Sequence, residues 1–539
     1  MCGLPSSCAS ASSSLPASIT RRCAMIGVTM ERVAVIDMGS NSFRLVVFQY
    51  EPGSWWSLAD EIREPTRVSA GMGDAGVLQA EPMDRALHTA AVFSSFLRAS
   101  GVEDIDAVAT SAIRDAANRD ELLDAVQERT GLKVRVISGA EEAWYGYLAI
   151  ANSLTLTEGF GIDVGGGSVQ LMRIADRRLE QAESVPLGSV RVSEAFLAGK
   201  KTSGKQIKKL RKHVGRTLAE LEWWAGGESR HLAGIGGTIR NLATAAQKTL
   251  DLPDVDVQGF VLTRERLEEL IDLLASKSVA KRGSVGGIKP DRGDVILGGA
   301  VVVAAAMEHG GFDALEVTHA GLREGVFFER LLEGRDPPLL EDLRRESVIN
   351  LAHRFRTDDV HVEHVAHLSL QMFDALREAG LHDLGDAERE LLWAACMLHD
   401  IGVTIDYDDH HRHSHYLIES AGLPGFDPRE LELVALIARW HRKGDPDPSA
   451  LGDLKRKGDS DRLMVLCGVI RLAEQLERSR DRSVAGVELE DRESCVILRA
   501  VTGGDPGSDP SVAMWSAQRN SDVLAAAIDK PVEVVEADD

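Results

Sequence analysis

Short apolar runs alternate with longer amphipathic segments from residue 31 to about residue 330. The apolar runs have the length and residue types of strands and lie at 33–36, 46–49, 107–109, 134–137, 160–163, 169–174 and 231–234. The segments with helical periodicity lie at 83–98, 119–130, 206–223, 239–246 and 264–275. Because the second half repeats the scheme of the first, the pattern predicts an α/β fold with two similar lobes, at 31–158 and 159–335.

Beyond a proline-containing break at 335–338 the pattern becomes helical. Residues 339–480 are predicted as an all-α domain that holds the main histidine clusters. The tail at 481–539 is predicted as a small α+β domain, with strands at 484–489, 494–501 and 532–535 and a helix at 512–528. Residues 1–30, rich in Ser and Ala, are predicted as a disordered or non-native extension before the fold.

One turn occurs twice, each time between two of the predicted strands. Residues 37–45 read DMGSNSFRL and residues 163–171 read DVGGGSVQL, so both follow D-x-G-[SG]-x-S-x-x-L. Backbone N–H groups in such a turn form an anion site, and an aspartate at the strand end can hold a cation beside it. The predicted phosphate ligands are Gly39, Ser40, Asn41, Ser42, Gly165, Gly166, Gly167 and Ser168, and the predicted metal ligands are Asp37 and Asp163. Two copies therefore predict a cleft that binds a phosphate chain with a divalent metal.

A third glycine turn, with Gly236, Gly237 and Thr238, lies between a predicted strand and a helix. The free N–H groups and the dipole of a helix N-terminus favour negative charge, so this turn is predicted to bind phosphate as well.

Two charged residues between the lobes leave alternatives open. Arg114 follows a predicted strand, where it could bind phosphate oxygens or pair with Asp115 on the surface. Glu142 begins a predicted helix, where it could activate a water molecule. Alternatively, the negative charges of Glu141 and Glu142 could stabilise the positive end of the helix dipole, and the local sequence slightly favours that interpretation.

Charge and cysteine content restrict the partners and the compartment. The net charge of −23 over 539 residues argues against nucleic acid and anionic membranes as partners, and the longest apolar stretch, at 295–307, is too short to span a bilayer. A basic stretch at 200–213 is expected to be a solvated helix face rather than a guide for a polyanion. Six cysteines in so long a chain indicate a reducing, cytoplasmic location.

Six motifs in order, at 36–45, 109–114, 138–143, 163–168, 234–238 and 321–325, resemble the exopolyphosphatase / guanosine pentaphosphate phosphohydrolase family. The resemblance implies two actin-like (ribonuclease H-like) lobes around a cleft. It implies that Glu142 activates water, that Asp163 helps to place Mg²⁺ (or Mn²⁺), and that Arg114 contacts the phosphate under attack. It also implies a homodimer. One departure is Val169-Gln170, where the family shows threonine and glutamate.

The predicted helical domain resembles the HD phosphohydrolase superfamily through its His399-Asp400 pair. His364 and Glu477 complete the implied metal site, with Glu477 in place of the usual aspartate. A bound metal and a helical domain that keeps its histidines for hydrogen bonding are equally compatible with the sequence.

Together these observations predict an exopolyphosphatase that hydrolyses the terminal phosphate of inorganic polyphosphate. Hydrolysis of guanosine pentaphosphate is the first alternative, since the same site serves both substrates. The second alternative is a sensor that binds polyphosphate or a nucleotide with weak turnover, because Gln170 lacks the charge of glutamate. A sugar or acetate kinase of the same superfamily is a weaker alternative.

Overall fold

The computed structural model describes residues 30–73, 76–225, 231–250, 252, 256–503 and 509–537. The extension expected at 1–30 lies outside the described residues, except for Met30. Among the described residues, no helix combines the length and the apolar character that a membrane crossing requires.

The first lobe is built on a five-stranded sheet. Its elements are β1 Glu31–Met38, β2 Phe43–Glu51, β3 Trp55–Glu64, α1 Ala80–Ser100, β4 Ile105–Ala109, α2 Ser111–Arg114, α3 Arg119–Thr130, β5 Val134–Val136 and α4 Gly139–Ala151. The strand order is β3-β2-β1-β4-β5, with β1 antiparallel to β2 and parallel to β4. The central strand β1 is buried on both faces, which explains its continuous apolar run.

The second lobe repeats this arrangement in a six-stranded sheet. Its elements are β6 Gly159–Val164, β7 Val169–Ala175, β8 Arg178–Val185, α5 Ser189–Phe196, α6 Gly204–Leu218, β9 Leu232–Ile235, α7 Gly236–Thr249, β10 Phe260–Thr263, α8 Arg264–Ser276, α9 Val279–Arg282, α10 Ile296–Gly310, β11 Ala314–Val317 and α11 Leu322–Leu331. Strands β8-β7-β6-β9-β11 have the order and directions of β3-β2-β1-β4-β5, and β10 is added at the β11 edge. The prediction of two similar α/β lobes is therefore confirmed.

The chain then forms the expected helical domain and a small mixed tail. The helices are α12 Leu343–Arg354, α13 Asp359–Glu378, α14 Asp386–Leu398, α15 His410–Ala421, α16 Pro428–Trp440 and α17 Asp459–Leu476. The tail contains β12 Val484–Asp491, β13 Val496–Thr502, α18 Ser511–Gln518, α19 Asp522–Ala527 and β14 Val532–Glu536. Its three strands pair in the order β12-β13-β14, and their buried side chains join the core of the helical domain.

Two predicted helices differ from the structure. Helix α6 ends at Leu218, and Glu222–Trp224 forms a separate short turn, because the Trp224 ring is buried against Phe160 and Phe312. The predicted helix at 512–528 is split in two, since α18 ends at Gln518.

Candidate active site

The two aspartate-glycine turns face one narrow cavity of about 110 Å³ between the lobes. Asp37 and Asp163 occupy the last-but-one positions of β1 and β6, so each strand delivers its carboxyl group to the cavity. The predicted residues that line the cavity are Asp37, Gly39, Ser40, Asn41, Ser42, Glu142, Asp163, Gly165, Gly166, Gly236 and Gly237. The predicted residues outside this lining are Arg114, Gly167, Ser168 and Thr238.

Glycine is required where the turns approach each other. A Cβ atom at Gly166 would lie 2.9 Å from Ser40 Cβ and 3.3 Å from the Asn41 nitrogen, so a side chain would push the two turns apart. Gly236 has a φ of +87°, and a Cβ atom there would collide with the Asp163 carboxylate. These contacts leave backbone N–H groups close to the cavity, as an anion site requires.

Glu142 is set apart from its neighbour by the start of helix α4. Ser138 and Glu141 form a reciprocal capping box, so Glu141 serves the helix terminus. Glu142 lines the cavity and is only 8% exposed. Burial raises its pKa to about 7, against the opposing effect of the Arg114 guanidinium. A carboxylate with a pKa near neutrality is suited to accept a proton from water.

Arg114 lies behind Glu142 rather than in the cavity. Its Nη1 donates to Glu142 Oε2 at 3.0 Å and to the Ile137 carbonyl at 3.1 Å. Its Nε lies 3.6 Å from Asp115 Oδ1, so the surface pairing considered from the sequence is also present. Arg114 therefore holds the Glu142 carboxylate by a hydrogen bond, and its contact with phosphate stays a prediction.

The two cavity aspartates fit a divalent cation. Burial raises the pKa of both, and the pKa of Asp163 reaches about 6, with Arg240 opposing the increase and Asp37 adding to it. Two buried carboxylates that repel each other supply the oxygen ligands that Mg²⁺ prefers, and a cation between them would relieve the repulsion.

Four arginines line the cavity that the sequence did not predict as ligands: Arg44, Arg240, Arg292 and Arg323. Burial and the neighbouring guanidinium groups lower the pKa of Arg44 to about 9 and of Arg292 to about 10. Arg292 Nε is buried and has no hydrogen-bond partner among the described residues. Guanidinium groups crowded in this way are suited to a polyanion, whose oxygens accept several N–H bonds at once.

Gln170 lies beside the cavity rather than in its lining. It is 1% exposed, and its Nε2 donates to Ser168 Oγ at 2.8 Å and to Ser184 Oγ at 3.1 Å. In the part of the chain that the structure describes, Gln170 Oε1 has no hydrogen-bond partner. Gln170 is directly opposite Asp163 on the antiparallel strands β6 and β7, so both side chains lie on the same face of the sheet.

The histidines of the helical domain converge differently from the prediction. His361 and Glu474 lie beside His399, with ligand atoms of the three residues within 4.8 Å of one another. The predicted His364 and Glu477 instead face each other at 3.6 Å, with His364 one helical turn after His361 on α13 and Glu477 directly after the end of α17. The difference from the predicted set has a simple cause, because residues three apart on a helix share a face and the sequence pattern does not separate them. Asp400 does lie beside His399, together with His441.

Comparison with known proteins agrees with this architecture. The profile described as the Ppx/GppA phosphatase family matches residues 46–334, and the profile described as Ppx/GppA phosphatase, domain III, matches residues 343–496. A Ppx/GppA family member from Aquifex aeolicus is 29% identical over 57% of this chain and 99% of its own, with a TM-score of 0.49. An exopolyphosphatase from Cytophaga hutchinsonii is 23% identical over 56% of this chain and 98% of its own, with a TM-score of 0.52, and shares the fold. Since the first profile alone spans more than half of the sequence, the chain belongs to the Ppx/GppA phosphatase family and is a phosphoanhydride hydrolase.

Proposed function

We propose that this protein is an exopolyphosphatase, which removes the terminal phosphate of inorganic polyphosphate with water as the nucleophile. The observation that carries the proposal is the charge of the narrow cavity, in which four arginines surround three glycine turns and three carboxyl groups. A chain of phosphates matches such a site because each phosphate offers several oxygens to N–H donors. The anionic charge of the polymer also offsets the crowding of the guanidinium groups.

Different residues of the cavity have different roles in phosphoryl transfer. Glu142 accepts the proton of the attacking water, and Arg114 holds the Glu142 carboxylate in place. Asp37 and Asp163 would hold Mg²⁺ or Mn²⁺, which supplies charge neutralisation on the phosphate oxygens when it is bound. Arg44 and the other cavity arginines stabilise the negative charge that spreads over the transferred group.

Positive charge outside the cavity favours inorganic polyphosphate over guanosine pentaphosphate as the substrate. The pKa of Lys289 is lowered by burial and then by the charges of Arg44 and Arg63, so these cations lie close enough to continue the positive charge of the cavity. The cavity lining contains no aromatic side chain, in the part of the chain that the structure describes. A guanine base would gain from an aromatic neighbour, whereas a long polyanion gains from successive cations.

Phosphate release from polyphosphate, guanosine pentaphosphate and ATP, measured side by side with Mg²⁺ and with EDTA, tests the proposal. We expect the fastest release from polyphosphate with Mg²⁺ and background release with EDTA. Faster release from guanosine pentaphosphate would establish the nucleotide as the substrate. Background release from all three, with retained polyphosphate binding, would establish the sensor that Gln170 suggests.

A further inference from the structure

A second cavity, of about 390 Å³, adjoins the cleft at the Glu142–Arg114 pair. Glu142 lines the cleft, Arg114 lines the second cavity, and a hydrogen bond of 3.0 Å joins the two side chains. The lining of the second cavity, here named the rear cavity, consists of residues 114–115, 139–140, 167–168 and 182–186. The Arg114 side chain and one glycine turn lie between the two spaces, since Gly166 lines the cleft and Gly167 lines the rear cavity.

The rear cavity collects residues that the sequence predicted to bind phosphate. Arg114, Gly167 and Ser168 were predicted to contact phosphate, and all three line the rear cavity rather than the cleft. A Cβ atom at Gly167 would collide with Ser111 Oγ, so the turn passes close to the first lobe without room for a side chain. The residues of the phosphate motifs are therefore divided between two adjoining cavities.

The rear cavity offers hydrogen-bond donors that no group in the described part of the chain accepts. Gln170 Nε2 donates to Ser168 Oγ and to Ser184 Oγ, so both hydroxyl groups act as acceptors there and keep their own O–H. Ser168 is only 4% exposed, and its O–H has no acceptor among the described residues. Arg114 Nη2 likewise donates no hydrogen bond within the described residues. A buried donor without an acceptor is costly, so the rear cavity matches a ligand that accepts hydrogen bonds.

The start of helix α4 adds donors and positive potential. The capping box uses the N–H groups of Ser138 and Glu141, and it leaves those of the first two helical residues, Gly139 and Ala140, which line the rear cavity.

The two carboxylates in the lining do not cancel this charge. Asp115 is paired with Arg191 at 2.9 Å and lies 3.6 Å from Arg114, and Glu183 is exposed to solvent. The buried part of the rear cavity therefore suits a small anion with several acceptor oxygens, as orthophosphate is.

The direction of the attack explains why a phosphate site is useful at this place. Water that is activated by Glu142 forms its bond to the terminal phosphorus on the Glu142 side, its proton passes to Glu142, and the P–O bond to the polymer breaks on the opposite side. The orthophosphate product is then held between Glu142 and the shortened polymer, in a cavity of only about 110 Å³. It can leave through the cleft only after the polymer has dissociated, whereas an exit past Arg114 leaves the polymer bound.

We propose that the rear cavity binds the orthophosphate product, which leaves through it when the Arg114 side chain turns aside, while the shortened polyphosphate stays in the cleft. This inference rests on the proposed exopolyphosphatase function. The ligands of the phosphate are Arg114 Nη2, the hydroxyl groups of Ser168 and Ser184, and the N–H groups of Gly139 and Ala140. Because the product and the polymer occupy different cavities, both bind to one chain at the same time.

Binding is tested on the full-length protein by equilibrium dialysis with labelled orthophosphate, in buffer with EDTA and saturating unlabelled polyphosphate. We expect one bound orthophosphate per chain while the polymer is bound, which a filter-binding assay on the same sample verifies. Ala140→Glu should weaken orthophosphate binding at least about tenfold, because it places a carboxylate in the lining. An acidic residue in the first turn favours the helix, so this variant should fold. The matched control is Ala140→Gln, which has the same size without the charge and should bind orthophosphate within a few-fold of the wild type.

The exit route is tested by product inhibition, with labelled polyphosphate as the substrate and unlabelled orthophosphate as the inhibitor. Orthophosphate that binds beside the polymer lowers kcat, whereas orthophosphate that binds only in the cleft competes with the polymer and raises KM. We expect a lowered kcat in the wild type and in Ala140→Gln. In Ala140→Glu, we expect this inhibition to be lost and kcat without added orthophosphate to fall at least about threefold, because product release becomes slow.

Three outcomes would overturn the inference: displacement of all labelled orthophosphate by polyphosphate, equal orthophosphate binding by Ala140→Glu and Ala140→Gln, or purely competitive product inhibition. Failure of the proposed function would be seen differently, as absence of polyphosphate binding or as background phosphate release with Mg²⁺. In that case, dialysis of the two Ala140 variants without polyphosphate still decides whether the rear cavity binds orthophosphate.

Discussion

The position of Glu142 in the cavity depends on Glu141, the residue before it. Glu141 closes the capping box, which leaves Glu142 to enter the cavity beside Asp37 and Asp163. We predict that Glu142→Gln lowers phosphate release from polyphosphate by about 10²–10⁴-fold, because the amide cannot accept a proton, while polyphosphate binding is retained. Steady-state kinetics and a filter-binding assay check both parts. The control Glu141→Gln should keep the rate within a few-fold, and a rate near that of the wild type in Glu142→Gln would remove Glu142 from this role.

We predict that Arg114 influences how kcat/KM depends on pH. A general base must be ionised, and burial raises the pKa of Glu142 to about 7, so kcat/KM should rise with pH through neutrality. The Arg114 guanidinium lowers that pKa, and Arg114→Gln should therefore move the acidic limb of the profile to higher pH. Arg119→Gln, on the exposed start of α3, is the control. An unchanged acidic limb in Arg114→Gln would contradict the positioning role.

A further prediction concerns Gln170 and the affinity of the protein for Mg²⁺. Because Gln170 and Asp163 share a face of the sheet, Gln170→Glu adds a carboxylate next to Asp163, the proposed metal ligand. We expect this variant to reach half-maximal rate at a lower Mg²⁺ concentration than the wild type. Val169→Thr restores the other family residue without charge and should leave the Mg²⁺ requirement unchanged. A Mg²⁺ titration of phosphate release that shows no difference between Gln170→Glu and the wild type would show that residue 170 does not influence the proposed metal site.

The residues that the sequence did not identify are those without a local pattern. Arg44 and Arg323 stand inside recognised motifs, but nothing in the motifs shows that their side chains meet in the cavity. Arg292 belongs to a short turn, Pro290–Arg292, in a segment with no motif at all. Their convergence depends on the packing of the two lobes, which brings together residues more than two hundred positions apart.

At the scale of elements, periodicity predicted which helices exist but not which turn faces a site. The prediction placed ligands at His364 and Glu477, and the structure places His361 and Glu474 at the cluster. Three edge strands, β3, β8 and β10, were not predicted. Strand β3 has four charged residues among positions 60–64 and a single buried position, so it has neither an apolar run nor a strict alternation.

Helices α15 and α16 are joined by a buried charge contact that gives a prediction on stability. His415 lies 3.0 Å from Glu419 on its own helix and 3.2 Å from Glu432 on α16. Burial alone would lower the pKa of His415, but the two carboxylates raise it to about 9. The stabilisation is therefore complete below the usual pKa of 6.5 and is lost as the pH rises through 9.

We predict that His415→Gln is less stable than the wild type by about 1–2 kcal/mol at pH 6, and that the difference disappears at pH 10. Urea unfolding in buffer with EDTA, followed by circular dichroism at both pH values, measures it. His413→Gln on the same helix should show no such pH dependence, since His413 contacts no carboxylate in the described part of the chain. A stability difference for His415→Gln that is constant with pH would refute the charge contact.

At the scale of the whole molecule, the sequence predicted the internal repeat, because each copy contains its own strands and its own aspartate-glycine turn. The sequence did not predict how the two lobes close around the cleft, because the closure depends on contacts between residues of different lobes. Arg67 of the first lobe binds Asp294 of the second at 2.8 Å, and Arg63 binds Asp291 at 2.5 Å. Helix α11 returns to the first lobe and packs against α4, with Phe327 stacked on Phe48. These contacts fix the position of the turns on which the site depends.

The last prediction concerns the connection between the lobes and the helical domain. Asn152, at the end of α4, is 1% exposed; it donates to the Pro338 carbonyl at 3.1 Å and accepts from the Leu340 nitrogen at 2.8 Å. Asn152→Ala leaves both backbone groups buried without a partner, so we expect it to lower the free energy of unfolding by about 2 kcal/mol. Asn152 lies outside the cavity lining, so the rate of phosphate release at a temperature where the variant is folded should be unchanged.

Urea unfolding and limited proteolysis of the 335–342 connection measure the effect. Asn520→Ala is the control, because the Asn520 side chain donates to the Ser516 carbonyl within the tail. We expect faster cleavage of the connection in Asn152→Ala and no change in Asn520→Ala, since loss of the two hydrogen bonds releases the backbone that leads into α12. Equal cleavage and equal stability in the two variants would show that packing of the helical domain alone, rather than Asn152, holds the connection against the lobes.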